Sequence, residues 1–136
     1  MTMATVKLVD ENTTNPRVRA VFEDIKATRK VERINNFWRA LATNPATLES
    51  VWRHLKTVMK PGKLDMLTKE IIAIAVSATN GCAYCINSHT AAAMKLGLDE
   101  EALGEVMAVV GLFNMTNKMA EAYQVESDVL PPAAGK

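Results

Sequence analysis

The stretch EIIAIAVSATNGCAYCINSH, residues 70–89, decides how this chain is read. Its first part, Ile71 to Val76, is apolar in unbroken succession, more than a helix with one face on a core requires. Such a run could also be a strand. The preceding Leu67-Thr68-Lys69-Glu70 and the interspersed alanines favour helix, and no hairpin turn or alternating partner segment occurs anywhere in the chain. A helix from about Asp65 to Ala78, buried on most sides, is therefore expected, and no sheet.

Asn80-Gly81 tolerates positive φ and ends that helix, so Cys82 begins another that runs to Lys95 or Leu96 before Gly97. Upstream, Asn15-Pro16 has the form of an N-cap and first helical position, and Val18, Val21, Phe22 and Ile25 follow at helical spacing to about residue 30. Asn35 or Asn36 opens a short helix with Phe37, Trp38 and Leu41. Asn44-Pro45 opens a third with Leu48, Val51, Trp52, Leu55 and Val58, ended by Pro61-Gly62.

Downstream, Asp99 caps a long helix with Leu103, Val106, Met107, Val110 and Phe113, continuing toward Tyr123. Gly104 and Gly111 on it would permit close approach of a neighbour. The expectation is an all-α fold: one domain over residues 1–136, about six helices, and a disordered tail at 130–136.

Composition narrows the function. Sixteen Lys and Arg stand against fifteen Asp and Glu, with no long run of one sign and no basic stripe interleaved with aromatics, so nucleic acid and membrane surface are not expected partners. No apolar stretch approaches membrane-spanning length, and Met1 to Asp10 lacks a secretory layout, which makes the cytoplasm the default compartment. Eight methionines read as plain core filling, with an adaptable core or helix–helix interface as the alternative.

The two cysteines stand three positions apart, so a bond between them closes too small a loop to staple a fold. In a reducing compartment such a pair points to catalysis or metal. On one helix Cys82 and Cys85 are i and i+3, within reach of a disulfide after modest adjustment, and Cys85 and His89 are i and i+4. Only a thiolate is nucleophilic, and His89 is the residue of the motif able to take the thiol proton. Glu70, one helix earlier, can fold back against His89 or Cys85 and orient the imidazole. Cys82 lies at a helix N-terminus, where the dipole favours its thiolate, whereas His89 favours Cys85; the imidazole is taken to decide for Cys85. Tyr84 has two readings, a hydrogen-bond donor near the sulfurs or a ring packed over them.

Other uses of Cys-x-x-Cys fit less well. Ile86, not His, follows the second cysteine, which excludes covalent haem. A structural zinc site closes with four ligands, and His54 is the one histidine besides His89. The thioredoxin fold places its pair after a strand, and here helix is expected on both sides. No cofactor is expected.

Glu70, eleven residues, Cys82-x-x-Cys85, three residues and His89 together resemble the motif of the alkyl hydroperoxidase D-like (AhpD-like) family, which belongs with the carboxymuconolactone decarboxylases. Leu64 to Leu98 resembles the family's central region, and Phe37-Trp38-Arg39-Ala40-Leu41 with Asn44-Pro45 resembles its upstream helices. The resemblance implies an all-α oligomer, often a trimer or hexamer, that reduces a hydroperoxide through a cysteine pair cycling via disulfide. In those terms Cys85 attacks the peroxide, Cys82 resolves the sulfenic acid, and His89 with Glu70 relays protons. An external dithiol, a lipoyl-protein or thioredoxin-like donor, restores the thiols. Tyr84 stands where the best-known members carry a histidine, which leaves the oxidant and partner open. Two other functions compete: a decarboxylase of a cyclic lactone acid, and a non-enzymatic zinc-binding interaction module.

Overall fold

The computed structural model describes residues 4–135; Met1–Met3 at the start of the N-terminal segment and Lys136 at the end of the expected tail lie outside the described residues. The chain is all-helical, with α1 (Pro16–Arg29), α2 (Asn36–Leu41), α3 (Pro45–Val58), α4 (Met66–Asn80), α5 (Ala83–Lys95) and α6 (Glu100–Ala122). No strand occurs among the described residues. The helices fall into two compact units that divide between Lys60 and Pro61.

In the first unit, α1 starts where the Asn15 side chain accepts the backbone N–H groups of Arg17 and Val18, with Pro16 at the first helical position. Its buried residues, Val18, Val21, Phe22 and Ile25, repeat at the interval that puts them on one stripe. α3 starts in the same way, Asn44 accepting from Thr47, and buries Leu48 and Trp52. Arg17 bonds Glu49 and Asp24 bonds Lys56, so α1 and α3 run side by side in the same direction. α2 adds Trp38, whose ring meets Trp52 edge-on at 5.2 Å and an interplanar angle of 84°. Phe22 has no exposure, and truncating a fully buried Phe to Ala typically costs about 3–5 kcal/mol.

One boundary differs from expectation, and one expected cap differs only in its bonding. α3 ends at Val58, with Met59 already out of helical geometry, rather than at Pro61-Gly62; Pro61 disfavours helical backbone at Lys60 and so acts before its own position. Asn35 is the N-cap of α2 but makes no side-chain cap bond.

In the second unit, α4 begins where Asp65 accepts the Thr68 N–H at 2.7 Å, and it packs against both α5 and α6. Ile74, Ala93 and Leu98 form the buried centre, with Leu67, Ile71, Ala102, Leu103, Val106 and Met107 packed around it. α4 is not buried on most sides. Ile72 is 48% and Val76 54% exposed, because two neighbouring helices cover only part of its circumference. α6 has no buried residue along its 23 positions. A Cβ added at Gly104 or Gly111 would meet nothing within 4 Å, so no neighbour approaches closely there. Those glycines lie off the stripe of Ala102, Leu103, Val106 and Met107 that packs toward Ile74. Asn114 bonds the Thr79 hydroxyl at 3.0 Å and ties the middle of α6 to the end of α4. Beyond Gln124 the described chain has neither helix nor strand, and Val129 and Leu130 are exposed. No helix among the described residues is long and apolar enough to cross a membrane.

Candidate active site

Local sequence turns the chain back on itself between α4 and α5. Gly81 takes a left-handed conformation (φ 72°), and its N–H donates to the carbonyls near the end of α4. Cys82 then donates its own N–H to the Ser77 carbonyl at 3.0 Å. The two helices are thereby joined by a single-glycine reversal, and residues one helix apart in sequence become neighbours.

Glu70 and His89 are brought together by this reversal. His89 Nδ1 lies 2.7 Å from Glu70 Oε2. Glu70 shares a stripe of α4 with Ile74 and Ser77, is only 6% exposed, and is therefore not the solvated charge that most surface glutamates are. A buried carboxylate needs a partner, and the imidazole supplies it. A neutral imidazole that donates from Nδ1 to Glu70 has Nε2 as its acceptor nitrogen. His89 is partly exposed, so the ring reaches from the buried carboxylate toward solvent.

Cys82 and Cys85 are joined by a disulfide, with their Cα atoms 5.3 Å apart. Cys82 does not stand inside α5 but is its N-cap, and its Sγ accepts the N–H of Cys85 at 3.2 Å. Cys85 is the third helical residue, one turn before His89. Glu70, Cys82, Cys85 and His89 thus all lie on the adjacent α4 and α5, and Tyr84, half exposed, sits between the cysteines in sequence.

Two features around these residues are not visible from sequence. The Ser77 carbonyl anchors Cys82 only because Gly81 reverses the chain, and no residue pattern announces a backbone acceptor. Thr90, next to His89, has a buried hydroxyl with no hydrogen-bond partner among the described residues. His54 is exposed and belongs to the first unit. The open groove lined by Arg17, Asp24, Trp52 and Lys56 also lies in that unit and holds none of the expected site residues.

Residues 45–126 match the carboxymuconolactone decarboxylase family. The chain belongs to that family. A crystal structure of the alkylhydroperoxidase AhpD core from Rhodospirillum rubrum ATCC 11170 superposes with a TM-score of 0.88 at 48% identity, covering 93% of this chain and 96% of that one. An alkyl hydroperoxide reductase AhpD from Solibacter usitatus (strain Ellin6076) is 33% identical over 107 residues, 76% of this chain. One of the same name from Anaeromyxobacter dehalogenans (strain 2CP-C) is 29% identical over 121 residues, 85% of this chain. The chain spans 58% of the length of the first of these relatives and 62% of the second. The AhpD-like resemblance of the motif, the all-helical fold and the family match agree. The family match also runs across the boundary between the two units.

Proposed function

We propose that this carboxymuconolactone decarboxylase family member is a thiol-dependent peroxidase and disulfide oxidoreductase that reduces hydroperoxides in antioxidant defence. The observation that carries the reading is a buried carboxylate bonded to a histidine one helical turn from a disulfide-forming cysteine. A structural staple has no use for a proton acceptor at that position.

The chemistry follows from these groups. His89 Nε2 takes the Cys85 proton, and the thiolate attacks the terminal peroxide oxygen. The O–O bond breaks, Cys85 becomes a sulfenic acid, and the alkoxide leaves as alcohol with the proton returned by His89. Cys82 attacks the sulfenic sulfur, water departs, and the disulfide forms. An external dithiol, a lipoyl-protein or thioredoxin-like donor, then supplies two electrons and regains the role of disulfide itself. Glu70 keeps the ring oriented throughout and stabilises the imidazolium that forms between the two proton transfers. Tyr84 serves as an auxiliary beside the sulfurs.

The proposal extends to organisation: residues 1–136 act as one cytoplasmic domain in a homo-oligomer, a trimer or hexamer. The support for assembly is α6, which has no fully buried residue and, away from its Leu103–Val106 stripe, exposes Val109, Leu112, Phe113, Met115 and Met119.

The test is hydroperoxide consumption with a dithiol as electron source. Cys82→Ser and Cys85→Ser are each expected to abolish turnover, and a variant with unchanged turnover would overturn the reading. Decarboxylation of a cyclic lactone acid that survives loss of both cysteines would replace it.

A further inference from the structure

The stripe of α5 that carries Cys85 and His89 does not stop at the histidine. Ala92 and Leu96 continue it at offsets of three and then four residues, so the four side chains fall within about 60° of one another around the helix. Ala92 is partly exposed and Leu96 is 48% exposed, and neither carries a polar group. We infer that this strip is a subsite for the organic group of the hydroperoxide, and that Leu96 gives the site a preference for linear alkyl chains over compact ones. The inference rests on the peroxidase reading above and supplies the substrate shape which that reading leaves open.

The displacement itself decides where the organic group lies. The Cys85 thiolate bonds the terminal peroxide oxygen, the O–O bond breaks, and the leaving alkoxide takes its proton from His89 Nε2. Sulfur, attacked oxygen and leaving oxygen stand nearly in line, so the leaving oxygen is delivered to the imidazole and its carbon substituent begins there. The other end of the stripe is taken by Cys82, which caps the helix and is disulfide-bonded to Cys85. One apolar direction remains, past Ala92 to Leu96.

Helix rise sets the reach of the strip. His89 lies about 6 Å along the axis from Cys85, a distance taken up by the reacting atoms and the bond to the imidazole. Leu96 lies about 10 Å further, roughly the length of eight methylene groups. α4 and α5 run antiparallel from the Gly81 reversal, so the direction from His89 to Leu96 on α5 is the direction from Glu70 toward Met66 on α4. Met66, partly buried, stands one turn before Glu70 on the same stripe of α4, and a methionine adapts its shape to an apolar guest.

A chain whose peroxide end is held at Cys85 gains from each methylene laid against apolar surface, for as long as the strip lasts. The strip ends at Gly97, where the backbone takes φ 106° and leaves the helix. Carbons beyond that point stand in water and add no affinity. A branched, compact group fills the space beside His89 but does not reach Leu96.

The experiment uses the full chain with dihydrolipoamide as reductant and a series of tert-butyl, butyl, octyl and dodecyl hydroperoxides. On a half-open strip kcat/KM is expected to rise about twofold per methylene from butyl to octyl, and to level off from octyl to dodecyl. Leu96→Gln is expected to cut the octyl-to-butyl ratio about fivefold, whereas Met94→Gln, an exposed position on the opposite face of α5, keeps it. Equal kcat/KM along the series, or a wild-type ratio in Leu96→Gln, would overturn the inference. A raised KM for dihydrolipoamide in Leu96→Gln with the hydroperoxide ratio intact would assign the strip to the electron donor and overturn it as well. A second measurement needs no turnover: 1-octanol, the product alcohol, is titrated into methyl-labelled protein. Shifts of the Ala92 and Leu96 methyl signals, absent with tert-butanol and absent at Met94, are expected. Those shifts without consumption of any hydroperoxide would remove the peroxidase reading and leave the apolar subsite standing; turnover without them would do the reverse.

Discussion

His89 Nδ1 and Glu70 Oε2, nineteen positions apart in sequence, are 2.7 Å apart in space, and the carboxylate end of the pair is buried. This contact fixes the orientation of a histidine on a helix surface, and in the proposed relay it leaves Nε2 as the acceptor nitrogen. Substituting Glu70→Gln keeps the volume and a hydrogen-bond partner but removes the carboxylate. The expected outcome is a tenfold to hundredfold loss, roughly, in kcat/KM for hydroperoxide. Nitrogen-15 NMR of the His89 ring is expected to report a changed tautomer ratio. Unchanged kinetics would remove Glu70 from the relay.

The α4–α5 reversal depends on one residue. Gly81 sits at φ 72° with open space around its missing side chain, so the penalty for Gly81→Ala is backbone strain and not a clash. A loss of about 1 kcal/mol is expected, read as a drop of a few degrees in thermal midpoint. Gly81→Asn, better suited to left-handed backbone, is expected to lose less. Equal loss for both variants would place the cost elsewhere.

Acid stability has a specific contributor in the first unit. Asp24 is held below the usual carboxylate range, first by the Lys56 hydrogen bond and then by that of the Trp52 indole N–H. Because its folded-state pKa is depressed, its contribution is present above the ordinary carboxylate pKa and is lost as pH falls through the folded value. The side chains of both Asp24 and Lys56 are more than a third exposed, so the effect is expected to stay under about 1 kcal/mol. Chemical denaturation between pH 6 and 3 is expected to fall less steeply for Asp24→Asn than for wild type. Parallel pH profiles would contradict this account.

The uncovered side of α6 makes a prediction about assembly. Light scattering on the purified chain is expected to give a mass of several chains, and Leu112→Glu, which places a charge among Val109, Phe113, Met115 and Met119, is expected to lower it. A wild-type chain that runs as a monomer would overturn the oligomer proposal.

Much of this protein is local in origin, and local features are what a sequence displays. Asn15-Pro16, Asn44-Pro45, Asp65 and Asp99 each precede a helix whose first turn they cap or preset, so helix starts are readable to within a residue. The i to i+3 and i to i+4 relations of Cys82, Cys85 and His89 likewise follow from one helix and its N-cap. The covering of faces is different. Ile72, Val76 and the far side of α6 are apolar in sequence yet exposed within the chain, because hydrophobicity states a need for burial without naming what meets it.

The amino-acid sequence by itself therefore determined six helices, a dithiol at the start of the fifth, and an imidazole one turn beyond it. Only the tertiary structure decided that Glu70 reaches His89 rather than Cys85, and that Ser77 pins the Cys82 backbone. Helix periodicity acts over four residues and is written in the residues themselves. The meeting of α4 with α5 depends on the angle at which Gly81 returns the chain and on the packing around Ile74, which no short-range pattern records.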